Sequence, residues 1–173
     1  MKLTLAQLIP LIKLVRVRII ELAKERERVA VVQIEKGEMI TKPARSFEII
    51  SQELSETRND LVRFEHLKNE SNLRETVSWD NKEICLADAL ILAKELQSEV
   101  AMLKALGTKN KVERSSRFID SSGHLLNCTT YDPEVVWNQA LKLQRQVSLL
   151  SQLIERKNHF SELDIENADK YLA

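Results

Sequence analysis

The side chains in this sequence that could bind a metal or move a proton are few and scattered. His124 and Cys128 lie four residues apart, and on an extended strand both would point to one face. A zinc site needs about four ligands at close range, and only His66, His159, Cys85 and the carboxylates remain to complete one. The chain has no C-x-x-C and no H-x-x-x-H, so the pair reads as a turn histidine and a buried thiol. A cysteine nucleophile would also need a base and an oxyanion site, and no local signature supplies them. Carboxylates recur in pairs, such as Glu53 with Glu56 and Glu95 with Glu99. Acid–base work needs two carboxylates in different environments, whereas these read as solvated charges near Lys or Arg. A di-metal bundle would carry E-x-x-H; Glu65-His66 has the wrong spacing, and the step from Arg156 to His159 starts with the wrong residue. Three scattered glycines cannot build a phosphate-cradling loop. The sequence therefore predicts no enzyme, no cofactor and no catalytic, cofactor-binding or metal-ligating residues.

Charge gives a second class of chemistry. Lys13, Arg16 and Arg18 precede the first acidic residue, Glu21, in the opening helix. Lys109, Lys111, Arg114 and Arg117 gather in a polar stretch, 108–117, that could hold phosphates of a nucleic acid. The overall balance of 26 basic and 26 acidic residues argues against a dedicated polyanion binder, and only Phe118 interleaves an aromatic ring there. A cationic amphipathic start can also lie on a membrane surface. Neither nucleic acid nor membrane is the expected partner. No apolar run reaches the roughly 20 residues that span a bilayer. Two cysteines are too few for a disulfide framework, and Leu3 to Ile12 lacks a cleavage site, so a cytoplasmic location is expected.

The elements that would carry these residues are helices. With 3 Gly, 3 Pro and 30% charged residues, the chain favours long ones. The clearest runs from Asp132: an Asp cap, Pro133 at the first position, then Val136, Ala140, Leu143, Val147, Leu150 and Ile154 at steps of four and three. Thr4 and Gln7 form a capping box ahead of Leu5, Leu8, Ile12, Val15, Ile19, Leu22 and Val29, with Pro10 bending the early turns and Arg26 in a core slot. Arg26 there either snorkels or pairs, or the helix has left the core. A second stripe, Phe47, Ile50, Leu54, Leu61 and Phe64, follows Pro43, with Thr57 in its weak slot and Glu53, Glu56, Arg58, Asp60 and Arg63 on the outer face. A third is Leu86, Leu90, Ala93, Leu96, Val100, Leu103 and Leu106. The boundaries fall at about 4–35, 43–68, 86–106 and 132–158. Hairpins at about 76–86, around Asp80-Asn81-Lys82, and 117–131, around Ser121-Ser122-Gly123, are expected to form a small sheet at one end of the helices. The fold class is thus mainly α: one domain, 1–173, of long antiparallel helices in a coiled-coil-like bundle.

This order of features resembles the DIP1984-like, septicolysin-labelled family of uncharacterised bacterial helical proteins. Met1-Lys2-Leu3 leads into a Leu-rich helix, and Leu86-Ala87-Asp88-Ala89-Leu90 matches the L-x-D-A-L start of that family's central helix. A basic loop, a short β segment and a last long helix with Asn158 near its end follow. Where the family places Ser or Thr before L-x-D-A-L, this chain has Cys85. The resemblance implies a mostly helical fold without an established function, carries over no catalytic residue, and through its label suggests membrane activity.

Helices of this length carry apolar rows beyond what one small core hides. Leu14, Val17 and Ile20 form a second row on the first helix, and Leu141, Leu149 and Leu153 on the last. Such rows mark partner contacts. The expected function is a non-enzymatic, self-associating helical scaffold or interaction protein, a dimer or higher, with those six residues at its interface. A nucleic-acid-binding protein using the basic loop and a membrane-active protein are the alternatives.

Overall fold

A computed structural model of the chain describes residues 1–37, 39, 43–114 and 126–172. The protein is mainly helical, with short two-stranded antiparallel sheets between the helices. The order is β1 (Lys2–Thr4), α1 (Leu5–Val29), α2 (Phe47–Arg74), β2 (Thr76–Trp79), β3 (Lys82–Cys85), α3 (Leu86–Gly107), β4 (Val112–Arg114), β5 (Leu126–Cys128), α4 (Pro133–Phe160), β6 (Glu162–Asp164) and α5 (Asp169–Leu172). It divides into two compact units, one of residues 1–76 and 156–173, the other of 77–155.

In the first unit the Thr4 capping box forms as its spacing requires. The Thr4 hydroxyl accepts from the Gln7 N–H, and the Gln7 side chain accepts from the Thr4 N–H at 2.9 Å. The heptad row of α1 is buried at Leu5, Leu8, Ile12, Val15 and Leu22, with Leu11 beside it. Pro10 lies inside the helix. The helix stops at Val29 rather than near residue 35, where Val29, Val31 and Val32 crowd β-branched side chains that resist helical χ1 geometry. Helix α2 packs on α1, burying Ile50 and Leu54 against Leu22. It starts after Ser46, whose hydroxyl caps the Ile49 N–H, and not at Pro43. It also runs on to Arg74 instead of ending near Lys68. No Gly or Pro interrupts Asn69–Arg74, and Ser71 is buried. Pattern loss alone did not end the helix, because no residue there breaks it.

The chain's two ends meet in an arrangement no local pattern announces. Strand β1 pairs antiparallel with β6, Leu3 opposite Leu163. The terminal ammonium of Met1 donates to the Ile165 carbonyl at 3.0 Å, and the Ile165 N–H donates back to Met1 at 2.8 Å.

In the second unit β2 and β3 are joined by Asp80 and Asn81, with φ of 50° and 57°. Two consecutive left-handed residues are what a two-residue hairpin turn needs, and Asp and Asn tolerate them. Cys85 caps α3: its sulfur accepts from the Asp88 N–H at 3.4 Å. Asp132 caps α4, accepting from the Glu134 N–H at 3.0 Å. The inward row of α4 is buried at Ala140, Val147, Leu150 and Ile154. That of α3 is buried as expected at Leu86, Ala93 and Val100, with Ala89 added and Leu90 turned out to 42% exposure. Small alanines take the inner positions, so the bulkier leucine turns outward. Gly107 meets Trp137 so closely that a Cβ on it would lie 2.9 Å from the Trp137 backbone.

The expected joint sheet is absent among the described residues. Among the described residues there are three separate two-stranded sheets, β1–β6, β2–β3 and β4–β5. The second hairpin pairs Val112–Arg114, read from sequence as loop, with Leu126–Cys128. Residues 117–119 and the turn at Ser121-Ser122-Gly123 lie outside the described residues.

Candidate functional site

The six residues assigned to an interface fall in both units. On α1, Leu14, Val17 and Ile20 are each about half exposed (48%, 52% and 55%). They recur every third residue, so they drift slowly around the helix and keep one flank apolar. On α4, Leu149 is 57% exposed, while Leu141 and Leu153 are half-buried.

Leu14 and Val17 border a cavity of about 670 Å³ in the first unit, closed by Arg18, Glu53, Thr57, Lys170 and Tyr171. Its polar wall includes the Arg18–Glu53 ion pair, one of several that tie α1 to α2 and to the preceding Arg45. Arg18 donates to Glu53 at 2.7 Å, Arg45 donates to both Glu53 and Glu25, and Arg16 donates to Glu65 at 2.6 Å, which Lys68 also contacts. Burial pushes the Glu53 carboxyl up, but Arg18, with Arg45, outweighs it and holds the group below the usual carboxylate range. Lys68 and Arg16 hold Glu65 down in the same way, as Lys157 does Glu75.

Beneath this wall sits the group the sequence misplaced. Asp60 was assigned to the outer face of α2, yet it is only 6% exposed. Its Oδ1 accepts from the Asn167 amide at 3.0 Å and its Oδ2 from the Tyr171 hydroxyl at 2.8 Å, with Lys170 Nζ at 3.7 Å. Asn167 adopts a left-handed φ of 62°, which turns the chain toward α5. The Tyr171 ring stands edge-on to buried Phe64, centroids 6.2 Å apart. Burial and then the Asp60 carboxylate push the Tyr171 phenol up to about 12. This cluster fastens the C-terminal segment to α2. A charge in the run Asp60-Leu61-Val62-Arg63 could have been recognised as inward from its three-residue step to Thr57, but nothing local names Asn167 and Tyr171 as its partners.

Arg26, in its core slot, lies over the Phe47 ring, 5.8 Å from guanidinium carbon to centroid. It is a half-buried snorkelling side chain, with Phe47 turned 44% outward to meet it.

In the basic stretch one of the four cations has a described ionic partner. Lys111 pairs with Asp132 at 3.0 Å, and that hydrogen bond, with the Glu134 N–H, lowers the Asp132 carboxyl below its ordinary range. Lys109 is exposed, Arg114 lends its backbone to β4, and Arg117 lies outside the described residues. Cys128 is exposed, not a buried thiol, and His124 lies outside the described residues. Among the described residues no three His, Cys, Asp or Glu side chains gather into a metal-holding group. No described helix is long and apolar enough to cross a membrane.

In the second unit α3 and α4 run antiparallel. Gly107 meets Trp137 at one end, Val100 lies near Gln144 and Val147, and Leu92 lies near Leu149. A trough of about 650 Å³ runs along the pair, lined by Leu92, Leu96, Leu143, Gln146 and Leu149 and walled by Trp79, Asp80, Lys82 and Ile84 of the hairpin. On its outer faces α3 also exposes Ile91 (63%) and Met102 (53%).

No protein-family model matches this chain, and no curated protein sequence does. Its fold is similar to the crystal structure of a functionally unknown conserved protein from Corynebacterium diphtheriae, with a TM-score of 0.64 at 22% identity over 95% of this chain and 100% of that one.

Proposed function

We propose that the protein is a non-enzymatic, self-associating helical scaffold whose apolar helix faces are covered by further copies of itself. The carrying observation is α3. Leucine, isoleucine, valine and methionine occur around its whole circumference, interspersed with Asp88, Lys94, Glu95, Glu99 and Lys104, so its apolar surface is not confined to the stripe that faces the core. Within the described chain it buries one stripe and leaves Leu90, Ile91 and Met102 largely exposed. The rows Leu14, Val17 and Ile20 on α1 and Leu149 on α4 add to the same surplus. Exposed apolar side chains in rows of this kind mark association sites, and closing two-helix layers on one another gives a bundle. The phosphate-binding alternative has less support, because Lys111 is neutralised by Asp132. Size-exclusion chromatography with light scattering tests the proposal. A mass of two or more chains at micromolar concentration is expected; a single 19.9 kDa chain contradicts it.

A further inference from the structure

Self-association leaves open which face does it, and resting on that proposal we infer that a second copy of this chain fills the α3–α4 trough, with α3 of each copy lying along α4 of the other. The trough's lining residues Leu92 and Leu96 on α3 and Gln146 and Leu149 on α4 belong to stripes that are matched in spacing and continue along the pair beyond the trough. Leu92, Leu96, Glu99 and Leu103 on α3 and Lys142, Gln146, Leu149 and Leu153 on α4 each recur at steps of four, three and four, so each set lies on one side of its helix. Each stripe holds a single ionic residue, an acid on α3 and a base on α4. Among the described residues neither the Glu99 carboxylate nor the Lys142 ammonium has an ion-pair or hydrogen-bond partner.

The register follows from the contact at the pair's end. With Gly107 beside Trp137, Glu99 is level with residue 145 of α4, so Lys142 is three residues, about 4.5 Å, along the axis. A two-fold axis parallel to the helices keeps heights unchanged and lays α3 over the partner's α4. Glu99 then faces the partner subunit's Lys142 with that same small offset, twice per dimer. The other face-to-face two-fold lays α3 on α3 and gives neither charge an opposite. The size is adequate: α3 is 22 residues long, so two helices side by side offer a footprint of about 33 by 20 Å. That is roughly 650 Å² per chain, near the ~800 Å² per partner of a standard interface. Antiparallel neighbours within each copy and across the axis would make a four-helix bundle.

The test mixes two full-length populations, one Glu99→Cys and one Lys142→Cys, both on a Cys85→Ser, Cys128→Ser background, under mild oxidation. A disulfide-linked dimer carrying one chain of each kind is expected, with far less product from either population alone. In parallel, Glu99→Lys and Lys142→Glu should each weaken the dimer at least tenfold by sedimentation, and the double reversal should restore it. Circular dichroism of each variant checks that the helices remain. A dimer that crosslinks poorly and ignores both reversals would place association on another face, overturning this inference while leaving self-association intact. A monomer under every condition would overturn both.

Discussion

Replacing Asp60 by alanine should loosen one end of the chain without unfolding it. The carboxylate accepts from Asn167 and Tyr171 at 3.0 and 2.8 Å in a site only 6% exposed. Hydrogen bonds to a charged group contribute about 1.5–3 kcal/mol each. Both donors are part-exposed, and water recovers some of that loss once the segment opens, so about 2 kcal/mol for the pair is expected. That energy corresponds to a roughly 30-fold rise in local opening. Hydrogen exchange reads it directly. The amides of Ile165, Lys170 and Tyr171, bonded to Met1, Asn167 and Ala168, should exchange about 30-fold faster. Amides in the middle of α1 should not change. Asp60→Asn should cost less, because one acceptor oxygen remains. On a Tyr131→Phe background, tyrosinate absorbance should show Tyr171 ionising near 12 in the parent and lower in Asp60→Asn. Burial, the larger cause, keeps it above 10. The sign is that of a raised phenol: the segment's stabilisation is complete below pH 10 and fades as pH climbs through 12. Unchanged exchange at Ile165, Lys170 and Tyr171 would refute the assignment of Asp60 as the anchor, as would protection lost equally throughout α1.

Gly107→Ala places a Cβ 2.9 Å from the Trp137 backbone; chemical denaturation should show a loss of about 1–3 kcal/mol, typical of overpacking. Thr4→Ala removes one half of the capping box and should cost about 1 kcal/mol in the same assay, with Thr4→Ser close to the parent. Glu53, Glu65 and Glu75 are held below the usual carboxylate range when folded. Their contribution is therefore present above the unfolded value of about 4.5 and lost as pH falls through the folded values. The midpoint of urea unfolding should drop on acidification below pH 4.5, and the drop should be shallower in the triple Gln variant. Because these pairs are largely solvated, the effect per pair is small.

Local chemistry was legible in the sequence wherever a residue acts on neighbours within one turn. The Thr4–Gln7 box, the Asp80-Asn81 turn, the Asp132 cap and the buried rows of α1 and α4 are all of this kind. Features depending on distant partners were not. Asp60 reads as one more surface charge because its partners lie more than 100 residues away. Strands β1 and β6 have three residues each, too short for an alternation to show, and they are brought together only by the closed fold. The end of α1 was misjudged because Ile34 and the valines continue the apolar rhythm while their branching opposes the helix. Arg26 was undecidable without Phe47, whose ring sits on another element.

Sedimentation velocity over a dilution series from micromolar to nanomolar bears most directly on self-association. The expected result is a species of at least twice 19.9 kDa that dissociates to the single chain on dilution, and at higher concentration when Leu149 is replaced by lysine. One 19.9 kDa species across the whole series, identical in parent and variant, would contradict it.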